Sequence, residues 1–205
     1  MPVFLLIRHG ENDYVKKGRL AGRLPGVHLN EKGRAQAQAV ADKLAGAPVK
    51  AVYSSPLERT METAEPIAKA LDLPVIERPG LMETNVGEWQ DKKVKGLSRL
   101  KLWRVVQARP SLWQFPGGES FAECQHRIQQ ELEELASQHE DKDLVVCVSH
   151  SDPIKLAVAF YIGLPLDMFQ RLTVSPVSIT ALQIGQANSQ LLTLNYDILF
   201  NFTKP

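Results

Sequence analysis

With 205 residues, 44% of them hydrophobic, the chain is long enough to bury one sizeable core and short for two, so a single domain over residues 1–205 is expected. Its 24 basic and 23 acidic residues leave a formal charge of +1. No long run of like charge occurs, which argues against a nucleic-acid partner and still permits a locally basic pocket for a small anion. The opening MPVFLLIRHG has neither a basic leader nor a cleavage-site pattern, and no stretch is long enough to span a bilayer. The two cysteines, Cys124 and Cys147, cannot build a disulfide framework or a four-ligand zinc site. A cytoplasmic protein with reduced thiols and no membrane contact is expected; the oligomeric state is not legible.

Apolar runs of strand length alternate with segments of helical period, the pattern of a sheet covered by helices on both faces. Val3 to Ile7 is the first predicted strand. Asn30 caps a helix to about Leu44, with Gly46 placed to stop it, and Val49 to Tyr53 is the second strand. Ser55-Pro56-Leu57-Glu58 reads as a capping box with proline at the first helical position, opening a helix to about Leu71. Leu73 to Glu77 is a short third strand. Residues 84–118 are the least regular, with the three tryptophans, a basic stretch expected to be helical from Lys95 to Gln107, and the loop FPGGES; they are expected to form a lid and specificity insertion. Ser120 with Glu123 makes a second capping box for a helix to about Ser137. Leu144 to Ser149 is a fully apolar strand, and Ser151 or Asp152 with Pro153 starts the next helix. Val177 to Ile184 and Leu191 to Tyr196, joined by GQANS, read as an antiparallel pair. The fold class expected is α/β, a three-layer α/β/α sandwich with a mostly parallel sheet.

Arg8-His9-Gly10-Glu11 closes the first strand at its C-terminal end, where open α/β sheets place their ligands. A histidine there can attack or transfer a proton, and the neighbouring guanidinium suits a phosphate. Three further positions carry matching chemistry. His150 ends the apolar strand at Ser149. Arg59 falls in the first turn of a helix, where backbone N–H groups also favour an anion. Glu83 lies in the loop before Gly87-Glu88-Trp89. Parallel strands would bring all four to one sheet edge. Phosphoryl transfer needs a nucleophile, cations for the equatorial oxygens and an acid for the leaving oxygen. His9 would attack as neutral imidazole, Arg8, Arg59 and His150 would hold the oxygens, and Glu83 would protonate the leaving alcohol and then activate water. These groups offer what a metal ion offers elsewhere, so neither metal nor cofactor is required.

The strings LLIRHGEN, YSSPLERTMETA, LMETNVGEW and VVCVSHSD, in that order from Val3 to about Leu164, closely resemble the histidine phosphatase superfamily, which also holds cofactor-dependent phosphoglycerate mutases. The resemblance implies a phosphoglycerate mutase-like fold, a phosphohistidine intermediate on His9, a phosphate pocket of Arg8, Arg59 and His150, and Glu83 as proton donor. It also implies substrate-binding roles for Asn12, through its side chain, and for Ser151. The stretch GRLAGRLPGVHLNEKGRAQA resembles the family's first crossover and places Arg19, Gly22 and Arg23 near the pocket mouth.

The chain departs from the family pattern at Trp89-Gln90-Asp91, where many members have tryptophan-glutamate-glycine. The arginine pair that mutases use for a substrate carboxylate is not evident, since Arg99 and Arg104 belong to a helical pattern. This favours a phosphatase for small phosphomonoesters over a mutase. The rival of another class is a non-catalytic phosphate-binding module, against which stands the intact set of nucleophile and arginines. Trp89, Trp103, Trp113 and Phe115 either line a substrate pocket or fill core.

Overall fold

The computed structural model describes residues 1–185 and 188–198. Six strands, β1 Val3–Arg8, β2 Val49–Ser54, β3 Val75–Glu77, β4 Leu144–Ser149, β5 Ile179–Ile184 and β6 Ser189–Tyr196, form one sheet in the order β3-β2-β4-β1-β5-β6. β3, β2, β4 and β1 run parallel, and β5 and β6 are antiparallel additions at one edge. The segment expected to join the last two strands includes residues 186 and 187, outside the described residues.

Alternation along the central strands builds two cores. Phe4, Leu6, Val145 and Cys147 face one apolar cluster, and Ile7, Val146 and Val148 face the other. The second cluster is covered by α2 Glu31–Leu44 and α3 Glu58–Ala70 through Val40, Ala41, Ala64 and Ile67. The first is covered by α6 Phe121–Ser137 and α7 Ser151–Tyr161 through Phe121, Ile128, Leu156 and Ala157. Three shorter α-helices are found among the described residues: α1 Asp13–Lys16, α4 Val94–Leu97 and α5 Lys101–Ala108. The α/β/α sandwich is therefore as expected, and no helix of the described residues is long and apolar enough to cross a membrane.

Two helix expectations are corrected. The Ser55 capping box does not form: α3 starts at Glu58, with no side-chain cap from its N-cap residue, Leu57. Ser55 instead continues the strand, its N–H donating to the Val148 carbonyl at 3.0 Å, and its hydroxyl is held by His150. Glu58 is diverted too, accepting from the Gly26 N–H at 2.8 Å. The helix expected from Lys95 to Gln107 is broken between α4 and α5. Leu97 and Val106 are both buried; nine residues apart, they would point to roughly opposite sides of one straight helix, at about 100° per residue. The break lets both enter the same core. Val177 leaves the predicted last strand pair, because its positive φ of 55° turns the chain before β5.

The exit from β1 is packed by glycine. A Cβ on Gly10 would lie 2.6 Å from the Gly33 carbonyl oxygen, and one on Gly33 would collide with the Glu11 carbonyl oxygen. That approach seats the His9 loop on the first turn of α2. Gly33→Ala is expected to cost roughly 1–3 kcal/mol or more, since overpacked backbone cannot relax as a flexible side chain does. A thermal melt should show a Tm loss of several degrees. Gly96→Ala, where a Cβ meets nothing within 4 Å, should leave Tm nearly unmoved.

Candidate active site

Strand register brings the site together. Arg8 on β1 pairs with Ser149 on β4, so His9 and His150 leave the sheet side by side, their ring centroids 5.3 Å apart. β2 ends beside β4 through Ser54 and Val148, which sets Ser55 against His150 and starts α3 with Arg59 facing inward. The Ser149 hydroxyl donates to the Leu81 carbonyl at 2.7 Å, drawing the loop after β3 back over the β4 end and delivering Glu83. A cavity of about 190 Å³ results; its lining includes Arg8, His9, Asn12, Arg59, Glu83 and Asp152.

His9 is buried, and its Nδ1 lies 2.7 Å from the Gly10 carbonyl. A carbonyl only accepts, so Nδ1 carries the proton and Nε2 keeps a free lone pair. Burial first, then Arg59 and Arg8, holds the imidazole well below its usual range, keeping it neutral. Arg8 gives Nη1 to the Val174 carbonyl at 2.7 Å, and Arg59 gives Nη2 to the Gly22 carbonyl at 2.7 Å. Arg8 Nε, Arg59 Nε and Nη1, and Asn12 Nδ2 are buried with no protein partner. Unpaired buried donors cost about 1–3 kcal/mol each, and more where charged. With Arg19 Nε, likewise buried and unpartnered, five such groups on residues around one cavity are a cradle for a multiply charged oxyanion.

Glu83 stands at the cavity wall with 19% of its side chain exposed, Oε1 accepting from the Thr84 N–H at 2.9 Å. Burial, aided by the Asp152 carboxylate and opposed by Arg59, pushes its carboxyl up to about 7. That value lets one group give a proton and take it back near neutrality. Among the described residues no group of three or more His, Cys, Asp or Glu could hold a metal ion.

The other candidates fall into those that line the cavity and those that stand behind it. His150 is fully buried, one layer behind the cavity. Its Nδ1 must accept from Arg59 Nη2 at 3.3 Å, because a guanidinium only donates; Nε2 therefore carries the proton and donates to Ser55 Oγ at 2.9 Å. His150 thus grips Arg59 from behind the cavity, with Nδ1 also 3.9 Å from Glu83 Oε2. Asn12 caps α1 with Oδ1, at 2.8 Å from the Val15 N–H, which is why its Nδ2 is left for the cavity. Gly22 and Ser151 line the cavity. Arg19 does too, but it is tied to the Asp91 carboxylate at 2.6 Å. Arg23 does not reach the cavity: Nε donates to the Glu83 carbonyl at 2.8 Å and Nη2 to Glu119 at 3.0 Å. The departure at residues 90 and 91 serves this wall, Gln90 accepting from the Arg23 N–H at 2.8 Å and Asp91 holding Tyr14 and Arg19.

Two residues that sequence reasoning did not single out hold Glu83 in place. Arg127 on α6 donates to the Gly80 and Met82 carbonyls at 2.7 and 2.9 Å and to Glu119 at 2.8 Å. Glu119 also accepts from the Asn85 N–H at 2.8 Å. The one visible signal was the FPGGES loop, whose Gly118 lets backbone pass against the Asn85 carbonyl.

A neutral buried imidazole, a guanidinium cradle and a carboxyl poised near neutrality at the C-terminal edge of a parallel sheet define a phosphoryl-transfer enzyme. The chain belongs to the histidine phosphatase superfamily, branch 1, whose model matches residues 4–197; it is an enzyme of the histidine-dependent phosphatase type. Phosphoserine phosphatase 1 of Hydrogenobacter thermophilus is 31% identical over 197 residues, 95% of this chain and 92% of the relative. A 2,3-bisphosphoglycerate-dependent phosphoglycerate mutase of Thermoplasma acidophilum is 30% identical, with 90% and 88% covered. The solved mycobacterial glucosyl-3-phosphoglycerate phosphatase complexed with VO3 superposes with a TM-score of 0.87 at 27% identity, over 95% of this chain and 99% of that one.

Proposed function

We propose that the protein is a metal-independent phosphomonoesterase that works through a phosphohistidine on His9. The observation that carries this reading is the free Nε2 of a neutral His9 in a cavity whose lining residues carry five buried donors that no protein group satisfies. Nε2 attacks phosphorus and forms the N–P bond as the P–O bond to the alcohol breaks. Glu83 gives its proton to the departing oxygen. Arg8, Arg59 and Asn12 hold the equatorial oxygens, with Gly22, Ser151 and Arg19 shaping the cavity around them. In the second step Glu83, now a carboxylate, takes a proton from the water that attacks phosphorus and releases His9. The two arginines supply the charge a divalent ion supplies in other phosphoryl-transfer sites, so no cofactor is called for.

The whole chain acts as one histidine-phosphatase-like domain, with 84–118 as its lid and specificity insertion. The names of the phosphatase relatives support a small phosphorylated metabolite as substrate. The balanced charge of the chain argues against a nucleic-acid partner, and two buried thiols fit a cytoplasmic setting. The mutase relative motivates a second reading, return of the phosphoryl group to another hydroxyl. The two separate in one assay set. A generic aryl phosphate should yield orthophosphate and phenol in equal amounts, and 3-phosphoglycerate with the bisphosphorylated primer should yield no 2-phosphoglycerate. Isomerisation without phosphate release would establish the mutase instead.

A further inference from the structure

A second cleft, of about 240 Å³, opens beside the phosphate cavity, and Leu20, Val86 and Asp152 line both. Its other walls are mainly aromatic: Trp89 and Trp103 lie nearly parallel, 16° apart with centroids at 6.1 Å, and Phe115 and Phe121 stand beside them. Val86 follows Glu83 by three residues. The loop that carries Glu83 thus also forms part of the rim that the two cavities share. We propose that this cleft is the leaving-group subsite and that it takes a neutral, bulky apolar alcohol, an aromatic one above all, in preference to a carboxylated one.

Charge decides against the carboxylated alternative. No Lys or Arg lines the cleft. Arg104 and Arg171 adjoin Trp103 and Gln170 in sequence but do not line the cleft, and Arg19 and Arg23 pair with Asp91 and Glu119. At the junction of the two cavities sits Asp152, whose charge is only partly answered by Lys155 at 3.3 Å. A substrate carboxylate passing that point would lose hydration, meet an anion and find no guanidinium. Size agrees with an aromatic occupant: a dry apolar cavity of about 150 Å³ accepts benzene, so this one has room for a fused pair of rings.

The inference rests on His9 and Glu83 acting as proposed, and the test keeps the two apart. Three esters with comparable alkyl leaving groups are compared: naphthylethyl phosphate, ethyl phosphate and 3-phosphoglycerate. Burial of the ring system should raise kcat/KM for naphthylethyl phosphate about 10- to 100-fold over the other two. Trp103→Ala should lower that ratio. Gln107→Arg, at an exposed position on the cleft wall, should move preference towards 3-phosphoglycerate. Equal or better hydrolysis of 3-phosphoglycerate by the unmodified protein, or ratios unmoved by both variants, would overturn the subsite with the phosphatase reading intact. Absence of turnover on every ester, 4-nitrophenyl phosphate included, would overturn the phosphatase reading and the subsite with it.

Discussion

His9→Ala is expected to lower kcat on an aryl phosphate by roughly four orders of magnitude or more, the usual cost of removing a nucleophile. No neighbour can take over. His150 has both nitrogens engaged, and Cys124 and Cys147 are fully buried thiols held well above their ordinary range by desolvation. The fold should survive, because the His9 side chain contributes one hydrogen bond, to the carbonyl of the next residue. Quenching into alkaline denaturant during turnover of labelled substrate should trap an alkali-stable, acid-labile phosphoprotein in the unmodified enzyme and none in the variant, with melting temperatures close together. Equal turnover in the two proteins would remove the phosphohistidine from the mechanism.

What could be read in advance was whatever local pattern controls. Val3 to Ile7 and Leu144 to Ser149 are apolar runs that announce buried strands, so His9 and His150 could be set at their C-terminal ends before any pairing was known. Arg59 was placed by its distance from a helix start, and this survived the start moving from Pro56 to Glu58, since the inward face depends on the body of α3. Its acidic neighbours on the helix, Glu58 and Glu62, are bound to the 26–29 segment and do not draw it to the surface. The supports of Glu83 were not legible. Arg127 meets Gly80 and Met82 across 47 and 45 residues, and Glu119 meets Arg23 across 96, distances at which no periodicity speaks. The same holds for Arg23, an apparent mouth residue by motif that folding turns into a brace. The tryptophans were ambiguous for a physical reason. Trp89 and Trp103 both pack in the core beneath the insertion and form the wall of a cleft, so the two readings are not exclusive.

Glu83→Gln should divide the two chemical steps. An alkyl leaving oxygen needs a proton as its bond to phosphorus breaks, and glutamine has none to give, so kcat/KM for an alkyl phosphate should fall about 10²- to 10⁴-fold. 4-Nitrophenolate leaves without help, and kcat/KM for its ester should fall far less. The second step still lacks a base for water, so on that substrate the variant should release one equivalent of nitrophenol in a burst and then turn over slowly. The pH profile gives the sign. The first step uses protonated Glu83, whose carboxyl is raised to about 7, so kcat/KM on an alkyl ester should decline as pH rises through that value. Neutral His9, held well below its usual range, sets no limit on that side. In the glutamine variant the alkaline decline should vanish. Asp152→Asn removes an anion that helps raise Glu83, so the decline should move to lower pH. Stopped-flow nitrophenol release with pH-resolved kcat/KM checks all three. Equal losses on alkyl and nitrophenyl esters, with no burst and an unmoved alkaline limb, would show that Glu83 shapes the cavity and does not move the proton.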